Sequence, residues 1–197
     1  MSISISEMMA IASRLFPVGY WPDDDKTSPE YHRRAAAWAE AQAHYPTWKA
    51  MLRRLSLQLP NAEVRNESLR MEAADSAPTD RCFMGAIYIR PVAPIELEHR
   101  IGFRASFVVP YYYIYSSRVV KPHADSAPID ADDRTSFEFS PDEAPIAAAV
   151  EEEIHKTLPT HKRMGPEIGM KIVPDVSTNL RIPGEATLFD CLFSDYW

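Results

Sequence analysis

The chain has 197 residues, with 28 acidic against 21 basic side chains, a formal net charge of -7 and a sequence pI near 5.4. That length fits one domain, and 46% hydrophobic residues with 4 Trp, 9 Tyr and 8 Phe exclude a chain that stays solvated and disordered. The acidic surplus argues against a general nucleic-acid binder, whose affinity comes from clustered Lys and Arg.

The start, Met-Ser-Ile-Ser-Ile-Ser-Glu, lacks the basic and unbroken apolar stretches of a secretory signal. The longest apolar run, Phe107 to Tyr115, is far short of the roughly 20 residues that cross a bilayer as a helix. A soluble cytoplasmic protein is expected. Cys82 and Cys191 each sit in an apolar pattern, which reads as two buried free thiols rather than a disulfide. The 17 prolines fall between periodic segments and mark no linker, so residues 1–197 read as a single domain.

In chain order, Ser4 and Glu7 form a capping box ahead of Met8, Ile11, Ala12 and Leu15, which share one helical face. That short helix ends near Phe16-Pro17. After the loop Gly19-Tyr20-Trp21-Pro22-Asp23-Asp24-Asp25, Ser28 caps a helix with Pro29 in its first turn and Tyr31, Ala35, Trp38 and Gln42 down one side. A separate helix is expected after Pro46, with the stripe Trp48, Met51, Leu52, Leu55 and Leu59.

From residue 62 the period drops to two. Cys82 to Arg90 reads as a strand. In the next, Ile101, Phe103, Ala105 and Phe107 alternate with Arg100, Gly102, Arg104 and Ser106, the pattern of one face in a core and one in water. Tyr111 to Val120 continues beyond Pro110, which marks a bulge, bend or edge. Arg134 to Phe139 is a further short strand. Ser140-Pro141-Asp142-Glu143 then supplies a cap, a first-turn proline and a Glu at the third helical position, opening a helix with Ile146, Val150, Ile154 and Leu158 on one face. Strands are expected at Met170 to Val173 and, as a central one, at Ala186 to Phe193. Helices, then strands, then a helix, then strands amounts to an α+β fold: an antiparallel sheet packed with the N-terminal helices and one helix near residues 141–158, covered mainly on one side. No glycine-rich phosphate loop is present.

No motif defines a catalytic site. Glu152 and His155 form one Glu-x-x-His step, where di-iron sites pair two such motifs with further glutamates, so the wet face of a helix explains it. Cys191 beside Asp190 has apolar neighbours that suit a structural thiol better than a nucleophile. The six histidines lack zinc spacing, and the runs at Asp23 to Asp25 and Asp130 to Asp133 lack the Gly and Glu of a calcium loop. No cofactor or metal is expected. Strand alternation sends Tyr112 to the face opposite Tyr111, Tyr113 and Tyr115, and the latter three are open to two readings: packing, or rigid contact area for a partner. Trp197 at the C-terminus poses the same alternative.

The charge is localised. Residues 1–124 carry +2 and residues 154–197 carry 0, whereas residues 125–153 hold ten acids against Arg134 alone, for -9. Such a block serves solubility, or steers the chain onto a basic partner. In size, charge and layout the chain resembles the immunity proteins of bacterial polymorphic toxin systems, and the Gly19-Tyr20-Trp21 loop leading into the Tyr31 to Trp48 helices is similar to one such group. The resemblance implies a protein that binds a basic toxin domain and occludes its active site. Asp130, Asp132, Asp133, Glu138, Asp142 and Glu143 would face the basic cleft, with Tyr111, Tyr113 and Tyr115 supplying contact area. The alternative is a small-molecule enzyme or binding domain holding an anion with Arg100, Arg104 or Arg118 in a tyrosine-lined pocket.

Overall fold

The computed structural model describes residues 3–16, 25–68, 71, 80–89, 97–120 and 134–193. The Ser4 capping box opens α1 (Ile5–Leu15): Ser4 Oγ accepts from the Glu7 N–H at 3.3 Å, and the Ser4 N–H donates to Glu7 Oε2 at 2.7 Å. Met8, Ala12 and Leu15 are its buried face.

Ser28 caps α2 (Pro29–Gln58), which runs through Pro46 as one helix of 30 residues, where the sequence suggests two. Pro46 has no N–H to offer the carbonyl of Gln42, a defect of about 3 kcal/mol in an isolated helix. The burial stripe explains its survival. Trp38, Ala41, Tyr45, Trp48, Leu52 and Leu55 are all buried and follow a 3-4-3-4-3 spacing unbroken across the proline, so both halves are held on the same surface.

That surface is a sheet of β1 (Glu63–Asn66), β2 (Cys82–Ile89), β3 (Leu97–Ser106), β4 (Tyr111–Val120) and β5 (Arg134–Ser136), antiparallel in chain order. A two-residue β6 (Lys162–Arg163) runs parallel to the start of β4. Pro110 lies in the bend between β3 and β4, where no ladder needs its missing N–H. The fold class is α+β, as its sequence suggests, but besides α2 three more elements differ from expectation. Residues 140–143 form a turn, with the Glu143 N–H on the Ser140 carbonyl at 3.0 Å, and α3 (Ala144–Thr157) starts after it with Pro145 in its first turn. Met170 to Val173 contributes one bridge, Ile172 to Thr187, beyond the short α4 (Pro166–Gly169). Ala186 to Phe193 is no central strand: Thr187 and Asp190 form a capping box that opens the buried helix α5 (Leu188–Leu192).

The sheet is also covered on both faces. Phe83, Ile87, Ile101, Phe103, Ala105, Tyr112 and Ile114 pack beneath α2 and α3, with Trp48 stacked on Phe83 at 5.3 Å between centroids. On the other face Cys82, Met84, Tyr111, Tyr113 and Tyr115 pack against α1, α5 and the chain from Met164 to Phe193. Arg104, Ser106 and the tyrosines that make this second face look wet in the sequence are enclosed in the protein, where Arg104 donates to Tyr115 Oη, Ser106 Oγ to the Leu192 carbonyl and Tyr111 Oη to the Ile3 carbonyl.

Candidate functional site

Asp130, Asp132 and Asp133 lie outside the described residues, as do Gly19, Tyr20, Trp21 and Trp197. Asp125 also lies outside them, and of the remaining acids of the segment Glu151 is half-buried. Glu138, Asp142 and Glu152 are exposed, whereas Glu143 and Glu153 are buried.

Glu143 occupies the turn before α3 and reaches down onto the sheet. His99 and Arg118 are cross-strand partners of β3 and β4, and Ser116 lies two residues before Arg118 on the same face. All three converge on one oxygen: His99 Nε2 is 2.5 Å, Ser116 Oγ 2.6 Å and Arg118 Nη2 3.2 Å from Glu143 Oε1. The Ser140 N–H donates to Oε2 at 2.7 Å. Burial alone would raise the pKa of this carboxyl, but the hydrogen bonds from Ser116, Ser140 and His99 outweigh it and hold the group well below the ordinary glutamate range. Glu143 therefore offers a partner nothing, and Arg118 is drawn to it rather than to an open anion site.

Glu153 plays the matching part between helices. Arg54 Nε of α2 donates to its Oε2 at 2.7 Å, and Gln58 Nε2 and Lys156 Nζ donate to Oε1 at 2.9 and 3.1 Å. These bonds outweigh the burial that would raise its pKa, so this carboxyl too is held low.

The three tyrosines expected at a contact surface are core residues. Tyr111, Tyr113 and Tyr115 are at most 5% exposed, and the Tyr113 ring lies 4.4 Å from Phe189 and 4.8 Å from Phe193 between centroids. Their strand is central, with β3 on one side and β5 and β6 along the other, and α1 and α5 close the face. Tyr112 does point to the opposite face. There its hydroxyl donates to Glu151 Oε1 and lies 3.1 Å from His155 Nε2, so the α3 pair that meets a sheet residue is Glu151 with His155. Among the described residues no group of three His, Cys, Asp or Glu side chains could hold a metal ion.

Arg100 and Arg104 share a sheet face, as alternation requires, but each has an internal role. Arg100 pairs with Glu67 at 3.2 Å. Arg104 is buried and donates to Tyr115 Oη at 3.4 Å and to Met84 Sδ. Two clefts among the described residues are lined by other groups. One of about 50 Å³ lies among His44, Thr47, Trp48, Phe83, Thr157 and Leu158. The other, about 350 Å³, opens between α1, α2 and the β3–β4 bend. Its arginines, Arg14 and Arg33, were not singled out by the sequence, since they become neighbours only when two helices with 13 residues between them pack together.

Both cysteines are free and buried. No helix among the described residues is long and apolar enough to cross a membrane. Comparison with known proteins finds no matching family model, no matching curated sequence and no matching solved structure.

Proposed function

We propose that this chain is an immunity-type binding protein that docks an acidic surface onto the basic active site of a toxin domain and occludes it. The observation that carries the reading is the charge of residues 125–153, -9 in sequence. Its described members Glu138, Asp142 and Glu152 face solvent. Glu143 and Glu153 serve instead as internal counter-ions, so the contact set reduces to Asp130, Asp132, Asp133, Glu138 and Asp142, with Glu152 added from α3. Tyr111, Tyr113 and Tyr115 are buried and supply no contact area to a partner.

Clustered charge of one sign accelerates encounter with an oppositely charged partner and makes it salt-dependent. The test is binding to the toxin domain encoded beside this chain's own gene, with wild type and with Asp130, Asp132 and Asp133 changed to Asn. The expected result is a complex whose association slows with added salt and slows about tenfold in the triple variant at low salt. Absence of a complex, or association indifferent to both changes, overturns the reading.

A further inference from the structure

We propose that the cleft between α1 and α2 binds a small amphipathic carboxylate, with an apolar tail on the cleft floor and its charge between Arg14 and Arg33. At about 350 Å³ the cleft is within the roughly 300–1,000 Å³ of small-molecule sites. Its floor is Ile11, Leu15, Phe107 and Val108. The floor is rigid: Leu15 is 7% exposed, and the Phe107 ring is fixed edge-on by Phe83 and Trp38 at 5.7 and 6.3 Å.

The two guanidiniums give the cleft its selectivity. Arg33 Nη1 donates to the Arg14 carbonyl at 2.9 Å, which ties α2 to the last turn of α1 and sets Arg33 at the rim. The same nitrogen lies 3.3 Å from Glu30 Oε1. Arg14 uses only its Nε, on the Ala10 carbonyl at 3.2 Å, and among the described residues its terminal nitrogens have no partner. The guanidiniums of Arg14 and Arg33 line an apolar cleft, and Glu30 sits against Arg33, which leaves Arg14 for one more anion. A carboxylate suits the planar donor fork of a guanidinium, and the floor requires that it carry an apolar tail. None of these residues belongs to the acidic segment, so the cleft stands or falls independently of the proposed toxin contact.

The test is a calorimetric titration of the full chain with octanoate, with acetate and octylamine as matched controls. Octanoate should bind saturably, and acetate and octylamine about tenfold more weakly or not at all. Arg14→Gln is the cleanest variant, because only one helix-surface hydrogen bond depends on the side chain, and it should weaken octanoate about tenfold. Ala37→Glu, which places a carboxylate in the cleft wall, should abolish binding. Loss of saturable octanoate binding in the wild type overturns the proposal. So does equal affinity for octylamine, or an Arg14→Gln variant that binds as the wild type does.

Discussion

The ring of Tyr115 lies over Gly102, its partner across the β3–β4 ladder, and fills the space where a side chain at 102 would stand. On the opposite face Phe103 covers Gly85, its partner across β2 and β3, in the same way. Each glycine weakens a strand by itself, and each is matched by an aromatic ring that supplies the missing packing.

Gly102→Ala should therefore destabilise the protein by about 1–3 kcal/mol, the usual cost of forcing extra volume into a filled core. Tyr115 is 1% exposed, so its ring has no free space to move into. Urea unfolding of Gly102→Ala, of Tyr115→Ser and of the double variant measures this. The alanine should cost less in the serine background, and equal costs in both would refute the pairing.

These rings also mark where sequence pattern stops. The alternation of β3 is plain from Arg100 to Phe107, and its element was legible to within a few residues. Its sidedness was not, because Arg104 and Ser106 look like a wet face until Tyr115, Met84 and the carbonyl of Leu192 are seen to take their hydrogen bonds. Pro46 reads as a break because propensity is local, while the stripe that carries α2 through it is tertiary. The acidic segment was visible as charge. That Glu143 belongs to His99, 44 residues away, depends on the β3–β4 register and on the docking of α3, neither of which a one-dimensional pattern encodes.

Glu143 sets a pH dependence whose sign follows from its bonds. Its carboxyl titrates lower in the folded chain than the ordinary value of 4.5, so its stabilisation is complete above that pH and is lost as pH falls below it. Glu143→Gln keeps the shape but removes the charge that His99, Ser116 and Arg118 share, and should cost about 2 kcal/mol at neutral pH. Denaturant midpoints of wild type and variant should draw closer, without meeting, on lowering the pH from 7 to about 3. A gap unchanged between the two conditions would show that the charge contributes nothing.

Asp190 anchors the helix that replaces the expected strand. Its Oδ2 accepts from the Thr187 N–H at 2.8 Å and the Thr187 hydroxyl at 2.7 Å, while its own N–H donates to Thr187 Oγ1 at 3.2 Å. At 1% exposed, removing it strands buried donors, and Asp190→Ala should cost about 2 kcal/mol. Asp190→Asn retains an acceptor for one of them and should cost less. Thermal unfolding of the two variants decides the matter, and an order reversed from this would exclude the capping role.

Cys82 and Cys191 should be inert in the folded protein. Cys82 is 1% exposed, and burial pushes its thiol up to about 12, against an opposing pull from Arg104. The thiolate is the nucleophile, so both access and ionisation are denied at neutral pH. Cys191 is 0% exposed in α5, between Asp190 and Leu192. Titration with an aromatic disulfide reagent should therefore find neither thiol in native protein and both in guanidinium. The slow native reaction should follow the opening equilibrium, so Gly102→Ala should accelerate it about tenfold for each ~1.4 kcal/mol of stability that variant loses. Prompt labelling of either thiol in the native state would contradict the closed face on which α1, α5 and β4 meet.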